Sequence, residues 1–389
     1  MLPSCDANRV SSRYPGQIRA HIVTGQSLVR ENILLTDQIK EFYLSEPTDL
    51  TAVEFLDDAN GWVGGKEKLF KTEDGGQSWQ QPVKLEVLPG SSVRSITIVN
   101  RMMGWIILQR SADLAINYEK NRFWILRTVD GGSRWTLQYD GNEANATALK
   151  FTDEKTGWLT GIKYGGLRPF RYSYLVLHTK DQGEHWQDAA EELTKLTAAR
   201  KQVSIDSIND AIMGISGSES SSLSLITGEG EVFRTSNDGR SWERSVVVDD
   251  KSEQTGIRQF GSKADHKLWF LSSAHSIEGV WSTLNVEQIE TSWTSFRVPG
   301  IYLSDAVALS ARQFLACGSE VSAEVGRPSR MEGVILYTQD DGQKWSIVYR
   351  NKTVKAINSL NALKSGLLIA VGDKGLVLRL QIESLLRNQ

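Results

Sequence analysis

The sequence predicts an all-β fold: seven four-stranded antiparallel blades closed into a propeller. Three observations carry this. One short box recurs five times; the spacing of its tryptophans marks an eroded sixth copy; and a seventh unit ends one strand short while the N-terminus holds unassigned strands. Tandem repeats of this length are the signature of ring and solenoid architectures, and a ring also explains the incomplete last unit.

The box reads Thr-x-Asp/Asn-x-Gly-x-x-Trp. It occurs at Thr72–Trp79, Thr128–Trp135, Thr179–Trp186, Thr235–Trp242 and Thr338–Trp345. At Asp74, Asp130, Asp181, Asn237 and Asp340 the side chain is expected to hydrogen-bond the backbone of its own turn. The glycine four residues after each Thr supplies a positive φ. Each tryptophan (Trp79, Trp135, Trp186, Trp242 and Trp345) is expected to fill the gap to the next blade, with its indole N–H on a carbonyl. The box therefore closes a hairpin, and nothing in it is poised as nucleophile, base or ligand.

Tryptophan spacing also counts the blades. Successive boxed residues from Trp79 to Trp242 lie 56, 51 and 56 residues apart, but Trp242 and Trp345 lie 103 apart. A missing copy falls near Trp293, preceded by Thr283 and Asn285 with a longer turn. Blades are expected at about 51–82, 93–140, 147–188, 203–247, 257–297 and 305–350, and the last at 354–382 plus an N-terminal strand. That strand is Ile18–Val23 or Ile39–Leu44, and residues 1–17 form a flexible lead-in to a single domain spanning 18–389. In blade 4, Val203–Ile208 is the expected first strand, Ile212–Ile215 the second, and serine-rich Ser216–Gly230 a flexible loop. Asp188–Lys201 has helical spacing.

Composition narrows the functional classes. The 389 residues carry a net charge of −3 with no long run of either sign, which argues against a nucleic-acid partner. The cysteines, Cys5 and Cys317, make neither a disulfide framework nor a metal cluster. Cys317 reads as a small buried strand residue, and His178 and His185 as strand and loop residues. No metal or cofactor motif is present, and no apolar run reaches the roughly 18 residues of a membrane helix. Leu2-Pro3-Ser4-Cys5 loosely resembles the end of a lipoprotein signal, so a lipid anchor at Cys5 is expected if an apolar segment precedes it.

The boxes resemble the Asp-box (BNR) repeats of sialidase-like propellers. With Gly61-Trp62-Val63-Gly64-Gly65, Gly104-Trp105 and Gly157-Trp158-Leu159-Thr160-Gly161 added, the repeat from 51 to 380 is similar to the photosystem II stability/assembly factor family. That resemblance implies a non-catalytic, extracytoplasmic scaffold holding partner proteins, such as a membrane-protein complex under assembly. The N-terminus as it stands, without a signal segment, is expected to favour the cytoplasm instead. The alternative is a sialidase-like glycoside hydrolase or glycan-binding propeller. Sialidases are six-bladed and carry a Phe/Tyr-Arg-Ile-Pro segment that Gly16-Gln17-Ile18-Arg19-Ala20 does not match, so no catalytic residue is assigned.

Strand order places the boxes on one face and the long, unequal loops on the other, where repeat scaffolds bind. Lys163, Tyr164, Arg168, Arg171, Tyr172 and Tyr174 concentrate cations and aromatics in one such loop, and Arg110, Lys120 and Arg122 of the preceding blade extend it. This patch is the candidate docking site for a protein partner of a monomeric scaffold.

Overall fold

The computed structural model describes residues 21–31, 39–80, 83–85, 90–110, 120–167, 170–202, 210–219, 222–247, 256–276, 279–289, 292–322 and 330–382. The lead-in, Cys5, Arg168 and Val203–Ile208 lie outside them.

Seven antiparallel sheets follow one another around a closed ring, each first strand packing against those of the two adjacent blades. Blade 2 shows the plan: Ser92–Ile98, Gly104–Arg110, Arg122–Thr128 and Thr136–Asn142 pair in chain order from the axis outward. The middle strands lie between neighbouring blades, so both of their faces need apolar residues. Phe314–Ser322 of blade 6 is accordingly buried from Phe314 through Ser319. The first strands line the axis and alternate, as in Ile301–Ala308, where Ile301, Leu303 and Ala306 are buried. Cys317 is a free thiol buried in a middle strand. The helix Ala190–Lys201 connects blades 3 and 4, and the Asp188 carboxylate accepts the Ala190 N–H at its start, 2.9 Å away.

Blade 7 consists of Ile357–Ala362, Leu367–Gly372 and Leu376–Gln381, completed by Lys40–Tyr43 from the N-terminus. Of the two candidates, Ile39–Leu44 therefore closes the ring. Beyond it, Tyr349 Oη donates to the Glu41 carboxylate at 2.7 Å, tying the closing strand to blade 6.

The earlier N-terminal segment has a use that the repeat pattern does not announce. His21–Gln26 adds in parallel to the last strand of blade 5, Ser292–Pro299, and Leu28–Glu31 adds in parallel to the last strand of blade 6, Lys344–Asn351. Ser27 bridges the two blades, its N–H on the Arg297 carbonyl at 2.7 Å and its Oγ on the Gly342 carbonyl at 2.5 Å. These two sheets therefore have five strands rather than four. Their fourth strands have 8 residues each, against 2 in blades 1 and 3, and a long edge is the kind that needs covering.

Two blades depart from the sequence expectation. In blade 4 the first strand is Ile212–Glu219 and the second is Ser222–Thr227, inside the stretch expected to be a loop. Leu223, Leu225 and Ile226 are buried there, and Ser216 and Ser224 are small enough to be buried with them. In blade 5 the third strand runs from Gly279 to Ile289, so Thr283 and Asn285 sit in mid-strand and the turn before Trp293 is shorter than a box. Trp293 itself is buried, as its register requires.

Candidate functional site

The five boxes repeat one set of hydrogen bonds. In the first, Thr72 Oγ1 donates to Asp74 at 2.8 Å and accepts the Gly76 N–H at 2.9 Å, while Asp74 also accepts the Ser78 N–H at 2.9 Å. The other four boxes repeat these bonds around Asp130, Asp181, Asn237 and Asp340. Bonds from the Ser78 side chain and N–H lead the contributions that hold the Asp74 carboxyl at about 2. For Asp181, also about 2, the His185 N–H leads. These carboxylates are fully occupied in closing their turns.

The expected indole bond is absent. The Nε1 atoms of Trp79, Trp135, Trp186, Trp242, Trp293 and Trp345 are buried with no hydrogen-bond partner among the described residues. Several of these indoles stand edge-on to another ring instead: Trp79 to Phe55, Trp135 to Trp62, Trp186 to Phe151 and Trp242 to Trp158, at interplanar angles of 86–89°. A perpendicular ring pair of this kind fills the site without a carbonyl acceptor.

On the opposite face, the structure divides the candidate patch. Strands Gly157–Leu167 and Phe170–Thr179 of blade 3 outrun the first strand, whose pairing ends at Lys163. Lys163 and Arg171 are exposed on this hairpin and Tyr172 is half-buried. Tyr164 and Tyr174 point inward. Tyr164 Oη accepts from Asn145 Nδ2 at 3.0 Å, and Tyr174 is buried against the helix, 3.1 Å from Thr197 Oγ1 and 3.5 Å from Asp210. In blade 2, Arg110 and Arg122 pair across two strands and both guanidinium groups lie over Trp124, at 5.7 and 5.4 Å. Arg122 is engaged by Asp140 in a forked ion pair, whereas Arg110 and Lys120 are exposed. What the structure presents is therefore a cationic rim with little exposed aromatic surface.

A second site was not legible in the loops. An axial cavity of about 670 Å³ is lined by the first strands of all seven blades. Each of these strands carries a β-bulge at the same height, at Thr51, Arg94, Thr147, Met213, Arg258, Ser304 and Asn358. Bulges re-aim side chains, and all seven residues line the cavity. Three residues further along lie Glu54, Lys150 and Asn361, with Asn361 Nδ2 donating to Glu54 at 3.3 Å. Burial pushes Glu54 up to about 8; nearby Lys150 opposes the shift and Asp305 adds to it. Burial also raises Asp305 to about 6, although its carboxylate accepts from Ser359 Oγ at 2.9 Å and from the Leu360 and Ala306 N–H groups at 3.1 and 2.8 Å. Aligning the seven first strands at the residue after the pre-bulge position would have exposed the two arginines, because Thr, Ser, Met or Asn stands there in the other blades.

Among the described residues, no group of three or more His, Cys, Asp or Glu could hold a metal, and no helix is long and apolar enough to cross a membrane.

Seven repeated sheets around one axis, closed by an N-terminal strand, define a seven-bladed β-propeller with box-type hairpins. Its fold is similar to that of YCF48 bound to a D1 peptide: TM-score 0.59, 18% identity, covering 92% of this chain and 99% of that one. YCF48 from Cyanidioschyzon merolae gives a TM-score of 0.57 at 16% identity over 89% of this chain and 99% of that one. The GH74 xyloglucanase from Xanthomonas campestris gives 0.60 at 11% identity over 89% of this chain and 54% of that one, so this chain spans about half of the enzyme. No protein-family model and no curated protein matches the sequence.

Proposed function

We propose that this propeller is a non-catalytic scaffold that holds a protein partner on the face opposite the boxes. The observation that carries the reading is the blade 3 hairpin, which exposes Lys163 at the last pair with the first strand and lifts Arg171 beyond it, beside the blade that bears Arg110 and Lys120. The partner chemistry this favours is an acidic protein segment, because exposed cations steer and orient such a segment. A fold neighbour solved with a D1 peptide gives a precedent for peptide docking on this architecture. The family resemblance extends the proposal to a membrane-protein complex under assembly, bound by a monomer.

The test is charge reversal. Lys163→Glu with Arg171→Glu should remove at least one protein from the set co-purified with the tagged chain, with no change in melting temperature. An unchanged set, recovered in unchanged amounts, would sink the docking face.

A glycan-active propeller is the second reading, favoured by Glu54 and Asp305 sharing one cavity with two arginines. Release of sugar from a polysaccharide panel, abolished by Glu54→Gln, would support it; no release from any polymer would remove it.

A further inference from the structure

We propose that the axial cavity binds a small oxyanion-bearing solute, clamped between Arg94 of blade 2 and Arg258 of blade 5. The site lies on the propeller axis and goes beyond the docking reading, which concerns the hairpin rim.

At three of the seven blades the bulge residue knits the ring together. Thr51 Oγ1 donates to the Val93 carbonyl of the next blade at 2.6 Å, Thr147 Oγ1 to Ile212 at 2.9 Å, and Asn358 Nδ2 to Leu50 at 2.8 Å. Each donor reaches the carbonyl just before the bulge of its neighbour. Arg94 and Arg258 occupy the same position and make no such bond. Blades 2 and 5 stand three apart in a ring of seven, so the two guanidinium groups enter from opposite walls. Arg258 is steadied over the Tyr302 ring at 4.9 Å. Arg94 makes no hydrogen bond or ion pair to another described residue, and the charges that it feels are Asp305 and Arg258.

The charge count in the cavity is unbalanced. The cations are Arg94, Arg258 and Lys150, and the carboxylates are Asp305 and Glu54. Asp305 already accepts three hydrogen bonds. Glu54 is predominantly protonated at neutral pH. Arg94 and Arg258 are both exposed to the cavity, Arg94 feels the charge of Arg258, and an anion between two like charges that share one cavity relieves their repulsion. A guanidinium fork suits a planar carboxylate or a tetrahedral sulfate or phosphate. The volume, about 670 Å³, is that of a small-molecule site.

Calorimetric titration of the full chain at pH 7 with sulfate, phosphate, glucuronate and, as the neutral control, glucose tests this. At least one oxyanion should bind and glucose should not. Arg94→Gln and Arg258→Gln should each weaken binding by about tenfold or more, the loss of a charge-assisted contact. Arg94→Lys should recover part of it, and Arg171→Glu on the rim should leave it unchanged. The unliganded Gln variants should melt no lower than the parent, because a repulsion has been removed. Equal binding of inorganic anions and glucuronate identifies a plain oxyanion site, and tighter glucuronate binding identifies an acidic-sugar site. Failure of all three anions to bind, or binding unchanged in the Arg94→Gln/Arg258→Gln double variant, overturns the proposal.

Discussion

Trp105 of blade 2 donates its indole N–H to the backbone carbonyl of Gln182, inside the box of blade 3, at 3.1 Å. The same indole stacks on Phe151 of blade 3, with ring centroids 3.5 Å apart and planes 10° apart. The Gly-Trp of one blade thus reads the box of the next. Trp105→Phe should keep most of the burial and lose the hydrogen bond, leaving the carbonyl to Arg127 Nη1 alone, also 3.1 Å away. The expected loss is about 1 kcal/mol, against about 3–5 kcal/mol for Trp105→Ala. Urea unfolding of both variants measures the difference, and an undiminished stability of Trp105→Phe would show that the bond contributes nothing.

The same relationship explains the box glycine. Gly132 of blade 2 has φ 91°, and a Cβ there would come within 2.0 Å of the Trp62 indole of blade 1. Gly239 meets Trp158 in the same way at 2.3 Å. Backbone conformation and lack of space therefore coincide. Gly132→Ala should cost about 2–4 kcal/mol, whereas Gly165→Ala, with nothing within 4 Å of the added carbon, should stay within about 0.5 kcal/mol. Melting curves of the two variants check this, and similar midpoints would refute it.

The contrast between boxes and cavity shows what sequence could reveal. Thr72, Asp74, Gly76 and Trp79 act within one turn or across one blade boundary, so their spacing recurs in five blades and its interval gives the blade count. Arg94 and Arg258 depend on a bulge, which shifts one residue and changes which side chains face the axis. Alternation alone cannot place such a shift. From sequence, Tyr164 and Tyr174 belong to a docking patch because their stretch resembles a loop. It is a paired hairpin, and its pleat directs them into the blade. Ser222–Thr227 failed for the converse reason, since serines that mark a loop elsewhere fit a tightly packed middle strand here.

Stability should depend on pH in two opposite senses. Asp74 and Asp181 sit near 2 in the folded chain, below the ordinary 3.8, so their contribution is present above 3.8 and is lost as pH falls through about 2. Glu54 sits near 8 against an ordinary 4.5, so its contribution is present below 4.5 and is lost as pH rises through about 8. Asp305 acts in the same sense between 3.8 and about 6. Lys150 and Asn361 face Glu54 from blades 3 and 7 and remain in place in Glu54→Gln. That variant should therefore show a flatter denaturation midpoint from pH 5 to 8.5 than the parent. Parallel curves would place the Glu54 titration elsewhere.

The N-terminal arm gives the last prediction. Residues His21–Glu31 lie along the outer edges of blades 5 and 6, whereas Lys40–Tyr43 completes blade 7. Removing residues 1–31 should leave a closed ring with two uncovered eight-residue edges, a lower melting temperature and a greater tendency to associate. Removing residues 1–44 should do more, because Leu376–Gln381 loses its partner and Tyr349 loses its bond to Glu41. The shorter truncation should unfold in one cooperative transition, and the longer one should lose that cooperativity because blade 7 no longer locks the ring. Calorimetry and size-exclusion chromatography of both truncations decide the matter. Equal behaviour would mean that the arm and the closing strand are not separable in function, and that closure is shared by all three N-terminal strands.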